Sequence, residues 1–296
     1  MKGVILAAGK GTRMQPLTSG RPKPLIPVAN KPVLEHIIAA FKKAGIKDLI
    51  LVVSSGDKIK NHFGKGKKFG VNLSYVVQKE RLGTAHAISK VKKHIKKDFI
   101  VAPGDDLIDS ESIKRLKKEH SGDITFCLSK RSKEELKHLG VVKVKGKKVQ
   151  GITEKPENPA GKYASTATFA FSPEIFKAID EIKKSKRGEY ELPDAINVLL
   201  KKGKAGWVEA NLWQRLSYPW DILKANEILL KELSEKREGI IEDNVTLKGK
   251  VSVGKGTRIK SGAYIEGPAM IGKNCTIGPN CFIRNHVTLG NGVRVG

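Results

Sequence analysis

The chain has 296 residues, and 56 Lys and Arg residues against 30 Asp and Glu give it a formal net charge of +26. No apolar run approaches the roughly 18 residues of a membrane helix, and no signal-type segment follows Met1, so we expect a cytoplasmic protein without a membrane partner. Basic residues are spread over stretches such as VKKHIKKDF and SIKRLKKEH, whose apolar positions have helical spacing. Because aromatic residues are not interleaved with these charges, no nucleic-acid partner is expected.

The length and composition favour an ordinary globular protein. A chain of this length forms one large or two modest domains with a substantial core. Its three cysteines, Cys127, Cys275 and Cys281, lack the spacing of metal ligands, so we expect buried free thiols. Abundant lysine with few glutamines and cysteines is typical of a heat-adapted protein.

The first predicted strand and turn lie in VILAAGKGTRMQPL, residues 4 to 17. Val4 to Leu6 form an apolar run without alternation, as in a strand buried on both faces of a parallel sheet. Gly9 and Gly11 keep the turn nearly free of side chains, so its N–H groups can approach an oxyanion, and Arg13 adds a planar charge. The turn matches neither the P-loop nor the dinucleotide fingerprint, so a phosphate site and an ordinary glycine turn are both open at this point.

Three more apolar runs, at residues 49–53, 73–77 and 99–102, predict further strands, and residues 32–44 predict a helix that ends at Gly45. Strands that alternate with helices favour an α/β domain with a Rossmann-like, mixed but mostly parallel sheet. Ligands bind at the carboxyl ends of such strands, where VILAAGKGTR and VAPGDD both lie.

A six-residue period begins at Ile241 and continues to Val295, with an aliphatic residue at each sixth position. This period is the signature of a parallel β-helix, here of about three coils. We therefore expect an N-terminal domain over residues 1–222, a connecting helix over 223–239 and the β-helix over 240–296. The chain ends within a repeat, so we expect either that more sequence once followed or that another element covers the last coil.

Polar residues occur where a ligand could reach them. Lys23 lies among three prolines that stiffen its loop. The amide of Gln78 can pair with a base edge, and Gly83 allows close approach of the backbone. Asp105 follows a predicted strand near the phosphate turn, where a carboxylate is a natural ligand for Mg²⁺.

The segments LAAGKGTRMQPLT with Lys23, then GTAHAI, GDD and TEKP resemble the sugar-1-phosphate nucleotidyltransferase family, in order and spacing, over essentially residues 1 to 230. With the hexapeptide repeat, the chain is similar to the members that make UDP-N-acetylglucosamine or dTDP-glucose. The resemblance implies a left-handed β-helix and a Mg²⁺-dependent reaction. A pyrimidine nucleoside triphosphate, UTP or dTTP, would react with N-acetylglucosamine 1-phosphate or glucose 1-phosphate and release pyrophosphate.

The resemblance also implies roles for particular residues. Arg13 would bind the β- and γ-phosphates, Lys23 would hold the phosphates near the reacting centre, and Asp105 would carry Mg²⁺. Lys155 is the fourth residue with an implied catalytic role, and it would grip the sugar phosphate together with Arg187. The implied nucleotide-binding residues are Leu6, Ala7, Ala8, Gly9, Gly11, Thr12, Arg13, Lys23, Gln78, Gly83, Thr84 and Asp105. Those implied for the sugar phosphate are Gly140, Glu154, Lys155, Thr166 and Arg187.

The chain departs from the family pattern in three places. Family members often have an Asp in a W-x-D-x-G segment as the second Mg²⁺ ligand, but WQRLSYPWD has Arg215 there, which leaves Asn211 and Asp221 as candidates. Ser165 and Ala167 stand where relatives that bind N-acetylglucosamine often have Asn and Gly. Bifunctional relatives carry an acetyltransferase site in a longer β-helix, which this chain ends before reaching.

Several alternatives follow from these departures. A non-catalytic sugar-nucleotide-binding regulatory or assembly subunit of the same fold is the second hypothesis. Uracil and thymine present the same edge to Gln78, so the sequence does not choose between UTP and dTTP, and it does not identify the sugar. The family's β-helices imply a homo-oligomer, either a trimer through the β-helix or a dimer.

Overall fold

The structure is a computed structural model, and it describes residues 1–56 and 58–296. The chain folds into two compact units. The first comprises Met1–Gly11, Thr18–Leu25 and Leu34–Arg215, and the second comprises Thr12–Leu17, Ile26–Val33 and Leu216–Gly296. No helix in the described residues is long and apolar enough to cross a membrane.

The strands up to residue 214 are β1 Lys2–Ala7, β2 Pro27–Val28, β3 Lys31–Pro32, β4 Asp48–Val53, β5 Asn72–Val77, β6 Phe99–Pro103, β7 Leu107–Ile108, β8 Ile124–Lys130, β9 Gly140–Lys145, β10 Lys148–Glu154, β11 Tyr163–Phe171, β12 Ala205–Glu209 and β13 Trp213–Gln214. The α-helices are α1 Val33–Lys43, α2 Lys58–Phe63, α3 Thr84–Ser89, α4 Ser110–Glu119, α5 Lys133–Leu136, α6 Ile175–Glu181, α7 Leu192–Lys202 and α8 Asp221–Leu230. Single 3₁₀ turns occur at Thr12–Met14, Lys23–Leu25, Lys67–Phe69 and Lys92–His94.

Within the described residues, the first unit is built on one nine-stranded sheet in the order β10-β9-β11-β6-β1-β4-β5, with β8 paired to β11 and β12 paired to β8. Strand β1 is parallel to β4 and to β6, and β4 is parallel to β5. Strand β11 runs antiparallel to β6, β8 and β9, so the sheet is mixed. The four strands expected from apolar runs are β1, β4, β5 and β6, which confirms those predictions.

The helix predictions were confirmed in part. Residues 33–43 form α1, close to the expected span, and SIKRLKKEH lies mostly in α4. The helical spacing of VKKHIKKDF is misleading, because this stretch contains only the 3₁₀ turn Lys92–His94. Ile95 is already extended and buried, and β6 begins at Phe99. Too few residues lie between the extended Ile95 and the start of β6 at Phe99 to form a helix.

The second unit contains a left-handed β-helix, which confirms the hexapeptide prediction. Its strands are β14 Ile240–Ile241, β15 Thr246–Lys248, β16 Val251–Val253, β17 Arg258–Ile259, β18 Tyr264–Glu266, β19 Ala269–Ile271, β20 Thr276–Ile277, β21 Phe282–Ile283, β22 Thr288–Leu289 and β23 Arg294–Val295. Ile241 pairs with Ile259, Ile259 with Ile277 and Ile277 with Val295, so each coil takes three hexapeptides. The aliphatic residues of the period form the core of this unit.

The connecting helix is shorter than the predicted 223–239. Helix α8 ends at Leu230, and the chain then extends along the first coil, where Glu238 N–H donates to the Val253 carbonyl. Val253 N–H in turn donates to the carbonyl of Lys236. These bonds bring the segment into the β-helix ladder, which a continuous helix could not join. All three cysteines are buried and free, as expected.

Candidate active site

A large cleft of about 490 Å³ opens at the carboxyl ends of β1, β5 and β6 in the first unit. Parallel strands place the turns that follow them at one edge of the sheet, which is where α/β proteins bind ligands. The residues that line it are Leu6, Ala8, Gly9, Lys10, Gln78, Arg81, Gly83, Thr84, Ala87, Pro103, Asp105, Ala167 and Glu189. Seven of them, Leu6, Ala8, Gly9, Gln78, Gly83, Thr84 and Asp105, are among the nucleotide-binding residues expected from the sequence.

Asp105, which lines the large cleft, forms an ion pair with Lys23, the lysine expected to hold the phosphates. Lys23 Nζ lies 2.6 Å from Asp105 Oδ2, and the two side chains are 12% and 31% exposed. Gly11 has a φ of 67°, and a Cβ there would come within 2.9 Å of Lys23 Cβ. Glycine is therefore required at position 11 both for its backbone conformation and for the close approach of Lys23.

Gln78 and Gly83 also line the large cleft. Gln78 is 4% exposed. Gly83, with a φ of 98°, precedes α3, and a Cβ on it would meet the carbonyl oxygen of Tyr190 at 2.5 Å. Glycine is therefore required at position 83 both by its backbone conformation and by the close approach of the Tyr190 backbone.

A small cleft of about 210 Å³ shares Thr84 and Ala167 with the large cleft. Its lining residues are Thr84, Asp106, His138, Leu139, Gly140, Ile152, Glu154, Ser165, Ala167, Phe169, Leu192, Pro193, Ile196, Trp213 and Arg215. Gly140 and Glu154 are the sugar-side residues expected from the sequence that line it. The consecutive carboxylates Asp105 and Asp106 line different clefts, so the backbone between them marks the junction.

Arg215 lines the small cleft, where its Nη1 donates to the carbonyl of His138 at 3.1 Å. Its guanidinium shares this cleft with two carboxylates, those of Asp106 and Glu154. The sequence shows only that Arg215 replaces an expected Asp, whereas the structure shows which cleft it reaches.

The backbone is strained beside both clefts. Ala167 has a φ of 55° and Lys155 a φ of 44°, in the left-handed region that residues with a side chain seldom adopt. Ala167 lies in an irregularity of β11 between Ser165 and Phe169. Strained residues of this kind cluster at functional sites, which fits the position of Ala167 where the clefts join.

Some expected site residues lie elsewhere in the structure. Ala7 is buried, and Thr166 is fully buried with its hydroxyl donating to the Cys127 carbonyl at 2.9 Å. Arg187 forms an ion pair of 2.8 Å with Glu191, and Lys155 Nζ lies 3.7 Å from Glu154. None of these four residues lines either cleft. Thr12 and Arg13 belong to the second unit, on the 3₁₀ turn Thr12–Met14.

Sequence reasoning missed several residues that the fold brings to the clefts. They are Lys10, Arg81, His138 and Glu189. Lys10 and Arg81 also line a neighbouring basic cavity of about 470 Å³, together with Ser54, Ser55 and Lys79. The clustering of three cations beside the large cleft favours a polyphosphate ligand. Their proximity depends on the sheet topology, which the sequence alone does not display.

Asp105 can hold a divalent cation, and the two candidates for a second ligand each make hydrogen bonds within the protein. The Asn211 amide donates to Asp109 at 2.9 Å, and Asp221 accepts the N–H groups of Ser217 and Tyr218 at 2.7 and 2.8 Å. Among the described residues, no group of three or more His, Cys, Asp or Glu side chains could hold a metal. One carboxylate completed by substrate phosphates is nevertheless a usual environment for Mg²⁺, so Asp105 fits this ion.

A model of the nucleotidyl transferase family matches residues 2–232. A second family model, the bacterial transferase hexapeptide (six repeats), matches residues 268–296. The chain therefore belongs to the nucleotidyl transferase family. Its relatives place it among the sugar-1-phosphate nucleotidyltransferases of that family.

One relative is the low-salt glycan biosynthesis nucleotidyltransferase Agl11 of Haloferax volcanii, 35% identical over 86% of this chain and 73% of that protein. The bifunctional protein GlmU of Methanococcus maripaludis is 36% identical over 86% of this chain and 61% of its own length. The glucose-1-phosphate thymidylyltransferase of Streptomyces griseus is 32% identical over 88% of this chain and 75% of that protein. The chain thus spans less than two thirds of the bifunctional relative.

A solved structure from Bacillus anthracis, assigned as a glucose-1-phosphate thymidylyltransferase and in complex with sucrose, has the same fold. The two align with a TM-score of 0.71 at 26% identity, over 80% of this chain and 98% of that one. The agreement covers nearly the whole of the other protein.

Proposed function

We propose that the protein joins a uridylyl or thymidylyl group to a hexose or N-acetylhexosamine 1-phosphate and releases pyrophosphate. The observation that carries this proposal is the junction of the two clefts at Thr84 and Ala167. The large cleft has basic residues and a glycine turn suited to a nucleoside triphosphate, and the small cleft is lined by polar side chains such as Glu154 and Ser165. Two ligands held in these clefts would meet beside Asp105.

In this reaction an oxygen of the sugar phosphate attacks the α-phosphorus of the nucleotide. A new P–O bond forms while the bond to the bridging oxygen breaks, and that electron pair leaves with pyrophosphate. The protein's part is to align the two phosphates and to offset their charge. Lys23, which is paired with Asp105 of the large cleft, would supply one such positive charge. The role of Arg13 in holding pyrophosphate stays a prediction from the sequence.

Asp105 is the residue that would hold Mg²⁺. When bound, the ion would neutralise charge on the phosphate oxygens of the nucleotide. We expect nucleotide binding, followed by calorimetry, to tighten as MgCl₂ is added, and we expect this gain to disappear in Asp105→Asn. Equal gains in the two proteins would contradict the assignment.

The substrates are identified by crossing five nucleotides with three sugar phosphates. UTP, dTTP, CTP, ATP and GTP are each combined with glucose 1-phosphate, N-acetylglucosamine 1-phosphate or mannose 1-phosphate, and pyrophosphate release is measured in the presence of Mg²⁺. We expect release with UTP or dTTP and with one of the first two sugars. Release confined to ATP, CTP or GTP, or no release by folded protein in any combination, would overturn the proposal.

We also propose that the protein forms a homo-oligomer, either a trimer through its β-helix or a dimer. The hexapeptide repeat supports this. Light scattering at micromolar concentration measures the mass, and a monomeric value would refute the proposal.

A further inference from the structure

The orientation of the Gln78 amide is fixed by two neighbours. Its nitrogen, Nε2, lies 3.2 Å from the carbonyl oxygen of Gly83 and 3.0 Å from Nδ1 of His86. A carbonyl only accepts hydrogen bonds, so reversing the amide would place two acceptors against each other at Gly83. Both N–H bonds of Gln78 are thereby used within the protein. The oxygen Oε1 is what remains for a ligand in the large cleft.

The large cleft then offers a base a specific pair of groups. Gln78 presents an acceptor, and the N–H of Gly83, which has no acceptor among the described residues, is a donor. This pair complements the imide edge of uracil or thymine, where N3–H donates and a carbonyl accepts. Cytosine presents an acceptor at N3 and a donor at its amino group, which is the opposite pattern. Guanine has the same order as uracil at N1–H and O6, so the test below includes GTP.

We propose that His86 is a positioning residue that sets base selectivity, because its Nδ1 accepts one N–H of Gln78 and leaves the amide oxygen for an imide base. This inference rests on the proposed pyrimidine nucleotide substrate. His86 does not itself line the large cleft, so it acts through Gln78.

The surroundings of His86 favour the neutral ring that this role requires. The ring lies against Tyr190, with centroids 6.4 Å apart. Burial lowers the pKa of His86, and the positive charges of Lys90 and Lys184 lower it further, while the charge of Glu80 and a hydrogen bond to its backbone oppose them. A neutral ring whose proton is on Nε2 has a free lone pair at Nδ1.

Protonation of His86 would oppose this orientation of the Gln78 amide. In the imidazolium both ring nitrogens are donors, so Nδ1 could no longer accept from Gln78. The protonated ring would favour the amide oxygen while the Gly83 carbonyl still favours the nitrogen, so a share of the molecules would present the nitrogen to the base. Selectivity for UTP over CTP should therefore be complete above the lowered pKa of His86 and fall as the pH drops through it.

The test compares His86→Phe, which keeps a flat ring but has no acceptor, with His86→Asn, whose Oδ1 can accept in its place. The matched control is His94→Phe, at an exposed position of a 3₁₀ turn. The ratio of kcat/KM for UTP over CTP is measured for each protein from pH 5.5 to 8, with dTTP and GTP alongside. We expect the ratio to fall about tenfold in His86→Phe, to recover in His86→Asn, and to depend on pH only when His86 is present.

An unchanged ratio in His86→Phe, or the same pH dependence in His86→Asn, would overturn the inference. If wild-type protein turns over none of these nucleotides, the proposed function fails by itself. Calorimetric affinities for UTP and CTP then provide the same ratio without catalysis, and equal affinities in wild type would refute the role of His86. If His86→Phe does not fold, the pH profiles of wild type and His86→Asn decide the question.

Discussion

Asp105 is ion-paired with Lys23, and replacing Asp105 by Asn separates its effect on stability from its proposed role in catalysis. With a charge separation near 2.6 Å, the Coulomb attraction is about 6 kcal/mol at an effective dielectric constant of about 20. Desolvation of a pair that is only 12% and 31% exposed offsets most of this. Because Asn keeps an oxygen that accepts from Lys23, we expect Asp105→Asn to lower the free energy of unfolding by only about 1 kcal/mol.

Turnover should respond far more strongly than stability. Asn lacks the charge that would hold a cation against the phosphates, and losing one such electrostatic contact costs about 100-fold to 1,000-fold in kcat. Pyrophosphate release under saturating substrates measures kcat, and denaturant unfolding measures stability. The expected pattern is therefore a small loss of stability with a large loss of turnover.

A double-mutant cycle with Lys23→Met tests the same reasoning. Stability should recover in part in the double variant, because neither charge is left without its partner. Turnover should not recover, since both groups would act on the phosphates. Turnover of Asp105→Asn within about threefold of wild type, or recovery of kcat in the double variant, would refute the argument.

Three further outcomes follow from the structure. Arg215→Ala should raise KM for the sugar phosphate about tenfold and leave KM for the nucleotide unchanged. The exposed control Arg237→Ala should change neither KM. Equal rises of both KM values in Arg215→Ala would contradict the place of Arg215 in the small cleft. Burial raises the pKa of the Cys127 thiol to about 12, so Cys127 of the native protein should not react with a disulfide reagent at pH 8. Rapid modification of Cys127, detected by mass spectrometry, would be inconsistent with its burial in the core. Ile265→Ala should lower the stability of the β-helix, measured by hydrogen exchange, by about 2–4 kcal/mol. The exposed control Lys248→Ala should have almost no effect. Similar losses of stability in the two variants would argue against a packed coil.

Much of the fold could be read from periodicity alone. Strands buried on both faces leave continuous apolar runs, and coils of three hexapeptides leave an aliphatic residue every sixth position. Both patterns arise because the residues are buried, so they can be recognised in the sequence without knowledge of the tertiary contacts. The run VKKHIKKDF has helical spacing for a different reason, since Val91, Ile95 and Phe99 are buried in the order turn, extended segment and strand.

The candidate site was only partly predictable, because some of its residues follow predicted strands whereas others reach it through the direction of a long side chain. Gly9, Gln78 and Asp105 follow predicted strands, so sheet topology already places them at one edge. Arg215 is different: its position in a motif suggested the metal side, but its guanidinium bonds to the His138 carbonyl and lines the small cleft. A motif gives the order of residues along the chain, whereas the direction of a long side chain depends on which partner it finds.

The irregularity in β11 explains how one strand serves both clefts. Ser165 pairs with Leu128 and Phe169 pairs with Phe126, so three residues of β11 face the single Cys127 of β8. The extra residues are accommodated by the positive φ of Ala167, which costs about 1–2 kcal/mol for a residue with a Cβ. Thr166 compensates in part by donating to the Cys127 carbonyl and accepting the N–H of Thr168.

A regular strand would alternate its side chains between the two faces of the sheet, and Ser165 and Ala167 would point the same way. The irregularity instead lets Ala167 line both clefts, and among the described residues only Thr84 of α3 does the same. The backbone thus bears the strain at the place where the two substrates of the proposed reaction would meet, and a small side chain at 167 leaves that junction open. Enlarging Ala167 would therefore narrow the passage between the clefts while leaving their charged side chains in place.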